Sequence, residues 1–174
     1  MRIIAGKYRH RILDFPADRL ELRPTKDMVK EAVFSIIGAR ITGAKFLDLY
    51  AGTGSIGLEA VSRGAREAVF IDQDTRYIAA NVQKLGCANT RVYRNKTARA
   101  LAILAAKKEL FEIIYLDPPY AGGLFAVLAC FAILVPGGLL IAETASKGAP
   151  PLPPAVKIAD ERRYGSTKIL FLER

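Results

Sequence analysis

The sequence is poor in the residues that build metal centres and catalytic triads. It has one histidine, His10, and two cysteines, Cys87 and Cys130. A zinc site or a histidine-based triad needs a cluster that these three residues do not form. No C-x-x-C pair occurs, so neither zinc nor a disulfide framework is expected. The two thiols read as free in a reducing compartment, Cys130 within an apolar run that belongs to the core. The opening MRIIAGKYRHR has no apolar signal stretch. The run Leu124–Val135 is apolar but too short to span a bilayer. Repeats and low-complexity tracts are lacking too. These absences leave a cytoplasmic protein with no metal and no membrane partner, expected to be a monomer.

Acidic residues are also in short supply. Seventeen face 26 lysines and arginines, giving a formal charge of +9 and a pI near 9.7. That excess favours a polyanionic partner, because neutralising phosphates releases counterions. Solubility alone is the plainer reading. The 174 residues, 51% apolar and 25% charged, suit one globular domain that buries a full core and exclude disorder.

Residues 1–24 read as a basic hairpin or arm, with short apolar runs at Arg2–Ala5 and Arg11–Leu13. The remainder, 25–174, reads as the main body of one globular domain. Thr25 is the expected N-cap of a first helix carrying Met28, Val29, Ala32, Val33, Ile36 and Ile37 at helical spacing. From Lys45 the pattern alternates. Strands are expected at Phe46–Tyr50, Ala68–Ile71, Thr90–Tyr93, Phe111–Leu116 and Leu139–Ala142. Helices are expected at Ser55–Arg63, Thr75–Leu85, Thr97–Lys107 and Leu124–Leu134, the last closed by Pro136-Gly137-Gly138. Repeated βα units imply a parallel sheet with helices on both faces. Val156–Glu161 and Thr167–Leu172 break the rule. Joined only by Arg162–Ser166, they read as an antiparallel hairpin at the sheet edge, reached through the proline-rich loop 148–154.

Asp48-Leu49-Tyr50-Ala51-Gly52-Thr53-Gly54-Ser55-Ile56-Gly57 lies between a strand and a helix. A glycine-rich turn there lets backbone approach a ligand at the helix N-terminus. Asp72, ending the next strand, is placed to hold ribose hydroxyls, whereas Asp74 reads as a helix cap. A dinucleotide fingerprint is the first reading of these glycines. Asp48 argues against it, since a carboxylate at the strand end repels a pyrophosphate. It suits a cation, such as the ammonium and sulfonium of S-adenosylmethionine.

Asp117-Pro118-Pro119-Tyr120 follows the strand Phe111–Leu116 at the same edge of the sheet. An aromatic amine is a poor nucleophile because its lone pair is delocalised into the ring. Two acceptors on its hydrogens, the Asp117 carboxylate and the Pro118 carbonyl, would help it pyramidalise. Pro118 and Pro119 remove backbone donors and stiffen the turn. Tyr120 offers a face on which an extruded base can stack. In-line displacement at the methylsulfonium then rests largely on positioning. A proline-rich turn with no catalytic role is the bland alternative.

These motifs together resemble the RsmD-type methyltransferases, which methylate guanine N2 in bacterial 16S rRNA. The likeness runs over nearly the whole chain: Arg2–Gly6, Arg23-Pro24-Thr25 with Val29, Glu31 and Phe34, Asp48–Ala60 followed by Ser62–Ala65, and Arg163–Lys168. The Asp-Pro-Pro-Tyr element is less specific, being shared with adenine and cytosine methyltransferases of DNA and related to those acting on glutamine. The resemblance implies a Rossmann-like class I S-adenosylmethionine methyltransferase, an α/β fold. Its mostly parallel seven-strand sheet would carry a C-terminal antiparallel hairpin and a small N-terminal extension. It implies a guanine in 16S rRNA as substrate, within an assembling or assembled small subunit. Asp48, Tyr50, Gly52, Gly54, Asp72 and Thr25 would serve the cofactor; Asp117, Pro118, Pro119 and Tyr120 the base. Relatives often carry an acid or amide near the adenine where Lys96 falls here, so the resemblance leaves that contact to Asn95 beside it or to backbone.

Lys7, Arg9 and Arg11, with Arg19, form the expected RNA-gripping surface, with Arg23 near the cofactor mouth. A solvated charged face is the alternative. His10 contacts phosphate or is simply solvated. Tyr164 faces RNA or packs on the edge strand, and Glu143 is a supporting residue rather than a base. Three other readings compete: an adenine-N6 methyltransferase on DNA or RNA, a nicotinamide-dependent oxidoreductase, and an rRNA-binding assembly factor without turnover.

Overall fold

The computed structural model describes residues 1–16, 23–118, 123–145 and 156–174, without the side chains of 23–26 and 123–125. Seven strands form one sheet in the order β3-β2-β1-β4-β5-β7-β6. They are β1 (Lys45–Leu49), β2 (Glu67–Asp72), β3 (Thr90–Arg94), β4 (Phe111–Leu116), β5 (Leu134–Ala145), β6 (Lys157–Tyr164) and β7 (Thr167–Glu173). The first five run parallel; β7 is antiparallel to both β5 and β6. The expected α/β sheet with an antiparallel C-terminal hairpin is therefore present.

Helices α1 (Arg23–Ile37), α2 (Ser55–Ser62), α3 (Arg76–Leu85), α4 (Thr97–Ala106) and α5 (Gly123–Ala132) cover it, with a 3-10 turn at Gly38–Ile41. Alternating side chains of β1 split the core into two layers. Phe46 faces Val33, Phe34, Leu58 and Ile78 on one side. Leu47 and Leu49 face Ala100, Leu104, Ala126 and Cys130 on the other. Burial of both faces explains why β2 and β4 read as continuous apolar runs.

Several boundaries differ from the sequence reading. The first helix starts at Arg23, so Thr25 lies inside it rather than capping it. Pro24 permits this, because a first-turn residue needs no amide hydrogen. Leu134 pairs with Phe111 as a strand residue, and pairing resumes at Ile113 with Leu139. Pro136-Gly137-Gly138 is thus a bulge within β5, not the end of a helix. A Cβ on Gly138 would lie 2.8 Å from the carbonyl oxygen of Val135, so glycine is needed there. Arg162 to Tyr164 continue β6, leaving Gly165-Ser166 as a two-residue turn. Gly165 supplies φ +59 at the first central position, and Ser166 needs no positive φ, the type II′ pattern. Tyr50 leaves β1 in the left-handed region, φ +59.

The N-terminal extension forms a small ladder: Arg2 bridges Ile12, and Ile3 and Leu13 are fully buried in the α1–α2–α3 layer. Lys30 sits on that layer at 2% exposure, donating to the Arg2 carbonyl and paired with Glu59 at 3.6 Å.

Candidate functional site

The strand order reverses direction between β1 and β4, and ligands of open α/β sheets bind outside the strand carboxyl ends at such a point. The glycine loop leaves β1 there, and Asp117-Pro118 leaves β4 beside it. Asp48 pairs in register with Phe70 of β2 and Tyr115 of β4, so the two motifs sit on adjacent parallel strands.

Each glycine of the loop has a distinct reason. Gly52 and Gly54 hold φ +57 and +76. A Cβ on Gly52 would meet nothing within 4 Å, so its surface is open to a ligand. A Cβ on Gly57 would lie 2.3 Å from the Phe70 ring, so this glycine lets α2 close on β2. Thr53, between the left-handed glycines, donates its hydroxyl to Met1 Sδ at 3.4 Å.

Carboxylates organise the loop from below. Asp48 is 2% exposed and accepts the Gly57 amide hydrogen at 2.9 Å. Burial pushes its pKa up to about 8; the charges of Asp117, Asp72 and Glu143 add to the rise, against the Gly57 hydrogen bond. Asp72 accepts the Gly52 amide at 2.8 Å and the Asp74 amide at 2.9 Å. Asp74 receives the amide and guanidinium of Arg76 at the start of α3, which holds its pKa down at about 2. Asp74 thus lies one residue before the N-cap, Thr75, rather than capping α3 as expected, while Asp72 ends β2. The Asn95 amide donates to the Asp72 carbonyl at 2.9 Å, bringing the β3 turn to the same edge. The Asn95 side-chain oxygen accepts the Lys96 amide, and Lys96 is exposed.

On the β4 side, Asp117 is exposed and Pro118 half-buried. Tyr115 is buried beneath them and donates its hydroxyl to Glu143. Burial, then the Glu143 charge, holds its pKa well above the ordinary phenol value. Four carboxylates thus converge where β1, β2, β4 and β5 end, in a protein of net charge +9. Such a donor set, beside an open glycine loop, fits a cationic ligand with a hydroxylated ring, for which Asp48 under the loop and Asp72 at the end of β2 are the candidate partners.

Pro119 and Tyr120, and Arg19 of the arm, lie outside the described residues, as do the side chains of Arg23 and Thr25. Lys7, Arg9, His10 and Arg11 are all exposed on the turn of the extension. His10 holds φ +69. Tyr164 leans on the α1–α2–α3 layer, while Arg162 and Arg163 pair with Asp160 and Glu161 of their own strand.

Among the described residues, four buried polar side chains that hold the N-terminal extension escaped the sequence reading of the site. Glu59, fully buried, accepts the amides of Ile4 and Ala5 and the Arg63 guanidinium. Ser62 accepts the Tyr8 amide and donates to the Ala5 carbonyl. Lys30 and Asn81 complete the set. Their only signal was polarity at helical positions that otherwise face the core.

The family model described as "Conserved hypothetical protein 95" matches residues 1–173. The Bacillus subtilis protein YlbH is 37% identical over 151 residues, 82% of this chain and 82% of its own. Ribosomal RNA small subunit methyltransferase D of Escherichia coli is 39% identical over 127 residues, 71% of this chain and 62% of its own, so the match spans less than two thirds of that relative. The solved structure of the Escherichia coli protein yhhF superposes with a TM-score of 0.83 at 31% identity, covering 100% of this chain and 97% of that one. The fold is the Rossmann-like α/β fold of class I methyltransferases.

Proposed function

Since the chain belongs to the RsmD-type family described as "Conserved hypothetical protein 95", we propose that it transfers a methyl group from S-adenosylmethionine to the exocyclic N2 of a guanine in 16S rRNA. The observation that carries this reading is the pairing of β1 with β4. It sets a glycine loop with a buried carboxylate beside Asp117-Pro118, near enough for the Asp117 charge to raise the pKa of Asp48.

When bound, S-adenosylmethionine supplies an electrophilic methyl carried on a sulfonium. Asp48, beneath the loop, faces the cationic end. Gly52 and Gly54 allow close backbone approach, with Tyr50 at the mouth. Asp72 would hold the ribose hydroxyls and Asn95 would serve the adenine. Across the cleft, the Asp117 carboxylate and Pro118 carbonyl accept the two amine hydrogens and aim the nitrogen lone pair. Tyr120, next in the sequence after Pro119, would offer its ring to the extruded base. Because the carboxylates are preorganised, they stabilise the amine as positive charge develops on it. The proton then leaves to solvent, and Glu143, held by Tyr115, supports the wall.

Lys7, Arg9 and Arg11 are exposed on the extension whose Met1 touches Thr53 of the glycine loop, so a polyanion gripped there would bind the element that adjoins the loop. A substrate within an assembling or assembled small subunit places the activity in the cytoplasm. That small-subunit rRNA is the substrate draws on the name of the Escherichia coli relative.

The test is transfer of labelled methyl to small subunits, or naked 16S rRNA, lacking base methylation, with duplex DNA alongside. Label at guanine N2 is the expected result. Label on adenine, or only on DNA, keeps the fold and overturns the substrate.

A further inference from the structure

Asn81 is a buried polar residue that the reaction scheme leaves unused. It lies on the buried face of α3 at 0% exposure. Its side-chain oxygen accepts the Asp14 amide at 2.7 Å. Its side-chain nitrogen donates one hydrogen to the Asp14 carbonyl at 2.9 Å and the other to the Thr53 carbonyl at 3.0 Å. One amide group therefore closes a two-point bridge on the extension and holds the glycine loop between its left-handed residues.

All three bonds go to backbone, so Asn81 reads where the two segments are rather than which side chains they carry. A buried amide with this inventory leaves no donor spare. The Thr53 hydroxyl also points to the extension, through Met1, whose carbonyl accepts the Leu13 amide. The hydroxyl and the carbonyl of Thr53 thus both depend on the ladder of residues 1–14. That ladder is anchored at its far end by Glu59 and Ser62, which hold Ile4, Ala5 and Tyr8. Of the exposed cations, Lys7 sits at the far anchor, its amide bonded to the Ser62 carbonyl, and Arg9 and Arg11 follow on the turn that leads back to Asp14.

We propose that Asn81 is a positioning residue that sets the cofactor loop from the N-terminal extension, coupling whatever grips the extension to cofactor affinity. The idea rests on the cofactor reading above. Residues Gly52–Gly54 carry two positive φ values, a backbone that persists when its surroundings hold it. Asn81 supplies that hold and takes its own position from Asp14. Linkage then requires reciprocity: a ligand that orders the extension tightens cofactor binding by the factor with which cofactor tightens that ligand.

The probe is S-adenosylhomocysteine, titrated calorimetrically into the full chain and two variants. Asn81→Ala removes every bond. Asn81→Asp keeps an acceptor for Asp14 but donates to neither carbonyl. Each is expected to weaken binding about tenfold, the loss of two or more ordinary hydrogen bonds. Ser62→Ala, which loosens the far anchor, should weaken binding on its own and add nothing in the Asn81→Ala background. Additive effects, or a folded Asn81→Ala that binds like wild type, would overturn the coupling. Wild type alone provides a check that needs no folded variant. S-adenosylhomocysteine should slow amide exchange at Ile3, Leu13 and Asp14, and unchanged rates there would equally overturn it. If wild type does not bind the probe at all, the cofactor reading falls, and this proposal with it. Binding that is indifferent to Asn81 removes this proposal alone.

Discussion

The Asp48 carboxylate accepts the Gly57 amide hydrogen at 2.9 Å, buried under the loop that Gly57 closes. Burial lifts its pKa from an ordinary 3.8 to about 8. Between those values the native state holds a proton that the unfolded chain has released. The resulting stability is complete below the ordinary value and is lost as pH rises through about 8. Ligand-free protein should melt progressively lower from about pH 5 to 8, and Asp48→Asn should flatten that slope. A bound cation favours the ionised carboxylate, so cofactor uptake near neutrality should release a proton, measurable by calorimetry in buffers of different ionisation enthalpy. Identical melting profiles for wild type and Asp48→Asn would refute the assignment.

Asp117→Ala should reduce methyl transfer by on the order of 100-fold or more, the usual scale for a preorganised group at a developing charge. Binding of S-adenosylhomocysteine should persist. Wild-type turnover in this variant would remove Asp117 from the chemistry.

Gly57→Ala would place a methyl 2.3 Å from the Phe70 ring. Phe70 is fully buried and has little room to yield, so α2 must lift from β2. A loss of about 1–3 kcal/mol is expected in denaturant unfolding, as for overpacked cores. Gly52→Ala, where the space is open, should instead act through its φ of +57 and should disturb the cofactor more than the core.

Reversing Arg9 and Arg11 to glutamate should weaken RNA binding without altering the fold, since both are exposed. The slope of log affinity against log salt should fall by about 0.7–0.9 for each phosphate that is no longer neutralised. An unchanged slope would dismiss the extension as the gripping surface.

Glu59→Gln leaves the buried Lys30 with only the more distant Asp27, at 4.0 Å, as a paired charge and weakens the seat of Ile4 and Ala5. About 3–5 kcal/mol of destabilisation is expected, the scale for breaking a buried pair from one side. Adding Lys30→Met should recover part of it. No recovery would mean that the hydrogen bonds to backbone, not the charge, dominate.

Strand and helix alternation was legible because it is written locally. Phe111–Leu116 lies where its apolar run predicts, and the glycine loop falls between strand and helix. Pro136-Gly137-Gly138 misled because the same turn residues that end a helix also make a bulge within a strand. Tyr164 reads either way in one dimension, and only the β6–β7 register places it against the α1–α2–α3 layer. Asp72 ends β2 within a residue of where the apolar run stops, whereas the cap of α3 fell on Thr75 rather than Asp74, since neighbouring polar residues offer the same local signal.

The sequence by itself determined the fold class, the two motifs and their edge of the sheet, because period and turn chemistry act over a few residues. The tertiary structure decided which strands are neighbours, and with that the meeting of Asp48 and Asp117. It also decided that Glu59, Ser62, Lys30 and Asn81 point inward to hold the extension. Hydrogen bonds between residues 28 to 67 positions apart, such as Asn81 to Thr53 and Asp14, leave no periodicity to read. They exist only because burial leaves each polar atom no water to bond and the packed layers bring its partner within reach.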